Sequence, residues 1–166
     1  DENFNRSVIL LVDHSQSGSV CFILNKKLEY STKEIMPELK FEFPIYNGGP
    51  VQQDNLYFVH NKSKLIYGSL AIKNEIHWGG DLKKVLDLIN EKKIKSDEIK
   101  FFLGYSGWDK NQLENEIQSN SWIVVNDNKN DKILLEHCEN IWKDNLTKLG
   151  GNYMIWSNSP ENPNHN

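Results

Sequence analysis

The sequence predicts a single α+β domain, a mixed α/β sandwich with about three helices. Three observations carry this. The 166 residues suit one ordinary core and are too few for two independent ones. Short β-branched apolar runs crowd the first half of the chain, and segments with helical spacing enter later, separated by further strands. With 38% hydrophobic and 11% aromatic residues the composition is globular, and a mean hydropathy of -0.62 concentrates the core in a few strongly apolar segments.

Residues 7–12 (SVILLV) and 19–24 (SVCFIL) are nearly continuously apolar, which predicts strands buried on both faces. The polar connection 13–18, closed by Gly18, has hairpin chemistry. Ser31 and Glu34 form an S-x-x-E capping pattern, but Pro37 limits that helix to little more than a turn. Residues 45–51 read as a strand running into a tight turn, because Gly48 and Gly49 permit positive φ and Pro50 fixes the exit. Further strands are expected over 55–60, 65–72 and 75–78. A helix over 81–93 follows from Leu82, Val85, Leu86 and Ile89 on one stripe, with Asp81 as N-cap. Residues 99–103 predict a strand, 104–108 a loop, and about 110–118 a helix capped by Asp109, with Gln112 completing a D-x-x-Q capping box. Residues 122–125 and 132–135 read as a hairpin. A last helix over 136–149 carries Cys138, Ile141, Trp142, Leu146 and Leu149 on one stripe, with Gly150 at C′. Residues 1–156 form the expected domain, and 157–166, rich in Asn, Ser and Pro, a disordered tail.

The formal charge of -4 and a pI near 5.7 produce a field that repels phosphate polymers and anionic membranes. Neither direct nucleic-acid binding nor membrane association is therefore expected. No apolar run approaches membrane-spanning length. Cys21 and Cys138 lie in apolar patterns without metal-ligand spacing, which suits reduced core thiols and a cytoplasmic setting. Arg6 is the sole arginine among 19 Lys and Arg residues, and its planar guanidinium suits bidentate binding of an anionic group. The chain starts at Asp1 without Met, so a preceding piece is expected.

Four candidate chemistries were weighed. Ser106 lacks the Gly two positions on that a nucleophile elbow needs, since Trp108 stands there. An anion site at the helix near Lys110 is opposed by Asp109, whose carboxylate competes for the same N–H donors. His14, His60, His77 and His137 match no metal-ligand spacing, so neither metal nor cofactor is expected. Glu114 and Glu116, two apart on a helix, do not face each other as an acid/base pair.

Spaced blocks unite the chain. Phe4-Asn5-Arg6-Ser7 with the apolar run to Leu11 precedes His14, Gly18 and Asn25; Gly48-Gly49-Pro50-Val51 precedes His60; and Gly104-Tyr105-Ser106-Gly107-Trp108 precedes Gln112, Glu114, Glu116 and Trp122. In these blocks the sequence resembles the YqgE/AlgH family, bacterial proteins of unsettled biochemical function. The resemblance implies coiled mixed sheets flanked by helices, a cytoplasmic location, and a frequent label of transcriptional regulator. The family commonly has Ala at position 106, which weakens Ser106 as a nucleophile further. Members usually carry a short strand before the Phe4 block, so the resemblance too leads to the expectation of a piece preceding Asp1.

The expected function is non-enzymatic binding or regulation of an unknown protein or small-molecule ligand, with no catalytic residue assigned. The residues expected to gather into one patch are Arg6, His14, Asn25, Gly48, Gly49, His60, Tyr105, Trp108 and Gln112, since Arg, Tyr and Trp most often anchor recognition surfaces. The alternative is a hydrolase or nucleotide-processing enzyme with His14 or His60 as base and Arg6 as anion anchor.

Overall fold

A curled sheet organised around one long strand supports everything else. The computed structural model describes residues 2–126, 133–134, 138 and 140–160. Its strands are β1 (Ile9–Ser15), β2 (Gly18–Ile23), β3 (Lys27–Ser31), β4 (Pro44–Asn47), β5 (Val51–His60), β6 (Leu70–Lys73), β7 (Ile76–Trp78) and β8 (Ile99–Asp109). The sheet order is β1-β2-β8-β5-β7-β6, with β4 joined to β8 and β3 to β4. All pairs are antiparallel except β4 with β8. The terminal strands of that order, β1 and β6, approach one another, so the sheet nearly closes and leaves a seam between them.

Five helices are present among the described residues: α1 (Thr32–Ile35), α2 (Leu82–Asn90), α3 (Gln112–Gln118), α4 (Ile141–Leu149) and α5 (Tyr153–Asn158). The α+β class holds, and α2, α3 and α4 occupy the three regions where helical spacing predicts them. α1 is the short turn expected: the Ser31 N–H donates to the Glu34 carboxylate at 2.5 Å. Asp81 caps α2 by accepting the Lys84 N–H at 3.2 Å. The buried face of α2, Val85, Leu88 and Ile89, packs with Ile45, Ile66, Ile99 and Phe101 into one core. Phe22, Tyr46, Val59 and Phe102 build the second, inside the curl.

β8 is longer than predicted. Residues 104–108, expected as a loop because of their glycines, continue the strand and pair with β2, Ser19 opposite Trp108 and Cys21 opposite Ser106. The glycines serve a close approach instead. Gly104 has φ 69° and faces Gly49, whose φ is 149°. The Gly48 carbonyl accepts from the Ile23 N–H at 3.0 Å and the Ser106 hydroxyl at 3.1 Å, and its N–H donates to Leu103 at 2.8 Å. A side chain at either position of this turn would strike β8 backbone, and only Gly lets two backbones come this near.

Other boundaries differ for local reasons. β1 is an edge strand with one buried side chain, Val12, not a strand buried on both faces. The polar 13–18 connection shrinks to a two-residue turn because β1 extends to Ser15 and β2 starts at Gly18. Residues 65–68 form turns, so the strand predicted there begins only at Leu70. In the predicted hairpin, 122–125 has no strand pairing among the described residues, and 132 and 135 lie outside them. α4 begins at Ile141, with 136, 137 and 139 outside the described residues. Asp109 ends β8, and Asn111 in the left-handed region precedes α3; Gln112 nonetheless accepts the Asp109 N–H at 3.0 Å, as the capping pattern requires. Ser157 and Asn158, assigned to the tail, close α5. Cys21 and Cys138 are both buried free thiols, and burial pushes the Cys21 thiol up to about 12. Cys138 donates to the Leu24 carbonyl at 2.7 Å and accepts from the buried Lys100 ammonium at 3.0 Å. That pair ties the approach to α4 onto β2 and β8.

Among the described residues no helix is long and apolar enough to cross a membrane.

Candidate functional site

Apolar side chains that the sheet leaves unpaired meet across the seam. On the β1 side stand Ile9, Leu10 and Leu11, on the β6–β7 side Ile72 and Ile76, and α3 contributes Leu113 and Ile117. Segment 121–126 forms one wall with Trp122, Ile123, Val124 and Val125, while Ile141, Trp142, Leu146 and Leu149 of α4 and Trp156 of α5 form another. They line a partly open cavity of about 600 Å³, within the range of ordinary small-molecule sites.

The wall is held by polar contacts at both ends. Glu116 accepts from the indole N–H of Trp108 at 2.9 Å and of Trp122 at 2.7 Å, and from the Gln112 amide at 3.0 Å. Its carboxyl titrates below the usual range: burial pushes it up, but the Trp122, Trp108 and Gln112 hydrogen bonds outweigh that. Phe4 completes a three-ring cluster, 5.4 Å from each of Trp108 and Trp122. At the other end the Lys73 ammonium donates to Asn126 Oδ1 at 2.7 Å.

The nine residues expected to share one patch are distributed over the fold. Arg6, at φ 51°, lays its guanidinium 5.0 Å from the Trp142 ring centroid and donates to the carbonyls of Ser159 and Pro160 at 2.7 and 2.8 Å. Asn25 braces that turn, accepting the Val8 N–H and donating to the Arg6 carbonyl, both at 2.8 Å. Gly48 and Gly49 form the β4–β5 turn, with Tyr105 beside it, edge-on to Tyr57 at 5.7 Å. Trp108 and Gln112 belong to the Glu116 cluster. His14 lies by α3, and His60 pairs with Ile99 at the opposite end of β8 from Trp108. Nine residue steps along the strand, at most about 30 Å, separate those two ends. His60 is fully buried and Trp108 is 5% exposed, so neither presents a recognition surface. The structure therefore does not gather all nine residues on one surface.

The histidines have structural partners. His60 Nδ1 accepts the Lys62 N–H at 3.0 Å and Nε2 contacts the Gly79 carbonyl at 3.1 Å. Desolvation lowers its pKa, the Gly79 hydrogen bond opposes this, and nearby His77 adds to the lowering. His14 Nδ1 contacts Ser19 Oγ at 2.8 Å and Nε2 lies 3.5 Å from Glu114 Oε1. This Ser-His-Glu row has the composition of a hydrolytic relay, but Ser19 is only 5% exposed, and an attacking hydroxyl must reach its substrate. The open polar hollow holding His14 includes Lys110 and Asn111 but not Arg6. Among the described residues no cluster of three His, Cys, Asp or Glu could hold a metal. His137 lies outside them.

Comparison with known proteins supplies the family. The AlgH-like family model matches residues 1–154. This chain belongs to the AlgH-like family. A UPF0301 protein of Cytophaga hutchinsonii is 39% identical over 165 residues, covering 98% of this chain and 90% of the relative. A second, from Chlorobium limicola, is 39% identical over 164 residues, covering 98% and 87%. Two solved structures share the fold. Protein DIP2367 of Corynebacterium diphtheriae superposes with TM-score 0.73 at 21% identity, covering 96% of this chain and 85% of that one. AlgH of Pseudomonas aeruginosa gives 0.67 at 23% identity, covering 93% and 84%. At these identities the structural likeness concerns fold alone. The blocks seen in the sequence fall at joints of the AlgH-like frame: Asn25 at the Arg6 turn, the glycine turn against β8, and Trp108 at Glu116.

Sequence reasoning missed Glu116, Trp122, Trp142 and Lys73 as parts of a site. The apolar run Trp122-Ile123-Val124-Val125 was the available signal, and it reads equally well as a hairpin strand.

Proposed function

We propose that this AlgH-like chain is a non-enzymatic binding protein whose ligand occupies the cavity between β1, segment 121–126 and α4. The observation that carries this reading is a cavity of about 600 Å³ lined, among the described residues, mainly by apolar side chains, with Trp122, Trp142 and Trp156 among them. Pockets of this volume and lining hold small molecules by desolvation and need few polar groups for orientation. A regulatory role in the cytoplasm fits such a protein, with the loaded and empty forms presenting different surfaces around exposed Val124 and Ile155. Direct duplex recognition has less support, because the net charge is -4.

Calorimetric titration with neutral dodecanol, below its solubility limit, tests the reading. Saturable one-to-one binding is expected, weakened at least about tenfold by Leu11→Trp, which fills the cavity with a larger side chain at a half-exposed position. Absence of saturable binding to the folded protein overturns it.

A further inference from the structure

We propose that Cys138 and Lys100 form a redox-sensitive modification site, in which a peroxide oxidises Sγ and the lysine Nζ then closes on it as a sulfenamide. Both side chains are buried, at 3% exposure each, and Nζ lies 3.0 Å from Sγ. On its other sides the Lys100 ammonium meets the Tyr46 ring, 4.1 Å from the centroid, and the Ile133 carbonyl at 3.4 Å. An ammonium has three donors, so the further interaction that Lys100 makes leaves the approach to sulfur in place. The thiol proton is directed elsewhere, to the Leu24 carbonyl 2.7 Å from Sγ. The sulfur therefore turns lone pairs towards the lysine nitrogen.

The chemistry balances with the peroxide as its only oxidant. Sulfur attacks one peroxide oxygen, the O–O bond breaks, and the thiol proton leaves with the other oxygen as water. The product is a sulfenic acid, in which sulfur has lost two electrons. Nζ gives one proton to solvent and attacks sulfur; the S–N bond forms, the S–O bond breaks, and the hydroxyl carries away one N–H proton as a second water. Backbone nitrogens capture sulfenic acids in this way, and here a side-chain nitrogen already touches the sulfur. Leu24, Ile133 and Ile141 pack with Cys138 in one core and also line the partly open cavity, which gives a water-sized oxidant a route to the thiol. The Cys21 thiol, pushed up to about 12 by burial, is a poor nucleophile by comparison. The new bond ties β8 to the approach to α4 across 38 positions.

The test is peptide mass spectrometry of the reduced native protein before and after a small excess of hydrogen peroxide at pH 8. A linked peptide pair is expected, lighter by two hydrogens than the separate peptides together, with trypsin no longer cutting after Lys100 and dithiothreitol reversing both changes. Peroxide added after unfolding in concentrated urea should give no link, because only the fold holds the two atoms together. The linked protein should show a higher urea midpoint than the reduced one, since a closed loop restricts the unfolded chain. In Lys100→Met, Cys138 is expected to run on to sulfinic acid, which dithiothreitol does not reverse. Native Cys138 found as sulfinic acid with Lys100 unlinked, native Cys138 untouched by peroxide, or linkage as frequent in the unfolded chain as in the folded one overturns the proposal.

Discussion

The indoles of Trp108 and Trp122 donate to the same carboxylate oxygen, Oε2 of Glu116, although one residue belongs to β8 and the other to the wall of the cavity. A single charged group on α3 therefore couples the sheet to the segment that encloses the cavity. The rings also contact each other edge to face at 5.7 Å, a geometry that favours the ring quadrupoles.

Replacing this acceptor weakens the fold and the wall together. Glu116→Gln keeps the size but loses charge-assisted bonds to two indoles, and a cost of about 2 kcal/mol is expected in urea unfolding. The pH dependence has a definite sign. The folded carboxyl titrates below its ordinary 4.5, so its contribution is complete above the unfolded pKa and is lost as pH falls through the folded one. Unfolding curves between pH 5 and pH 3 should therefore be less pH-dependent in Glu116→Gln than in the native protein.

His60 gives a window of the same sign at higher pH. Its folded pKa lies below the ordinary 6.5 because burial disfavours the charged ring, and the neutral ring accepts the Lys62 N–H. Its contribution is complete above 6.5 and is lost as pH falls through that value towards the folded pKa. Thermal unfolding should show stability falling from pH 7.5 to pH 5.5, with a smaller fall in His60→Gln.

The glycine turn tolerates no side chain. Gly48→Ala would place a methyl group against the Gly104 carbonyl and the Phe102 side chain, and a loss of about 3 kcal/mol is expected. Gly68→Ala, at a position where an added Cβ meets nothing, pays only for its φ of 76° and should cost about 1 kcal/mol. Chemical denaturation of the two variants side by side distinguishes crowding from backbone strain.

Asn25→Ala removes both braces of the turn at Arg6, leaving the Val8 N–H and Arg6 carbonyl without that partner. A loss of about 2 kcal/mol is expected. Hydrogen exchange should speed up most at Val8, and the α2 amides should respond only through the global loss.

What was legible in the sequence follows from how local each signal is. Helix α2 and its Asp81 cap were readable because stripe and cap lie within a few residues of each other. Gly104 to Trp108 misled because glycine in sequence says only that backbone freedom or closeness is needed; the partner that requires it, the Gly48-Gly49 turn, is more than fifty residues away. The family blocks were recognised correctly, but their residues meet different neighbours: Asn25 at the Arg6 turn, His60 beside Gly79, Trp108 at Glu116. The cavity was invisible because its lining side chains come from seven separate elements, each of which alone reads as ordinary core.

Methyl NMR of the native protein titrated with neutral dodecanol addresses the cavity most directly. Saturable shifts are expected at Leu10, Leu11, Ile72, Ile117, Ile123 and Leu146, which line it, with Val85, Leu88 and Ile89 under α2 unchanged. No saturable shift, or shifts as large under α2 as around the seam, would contradict a binding site there.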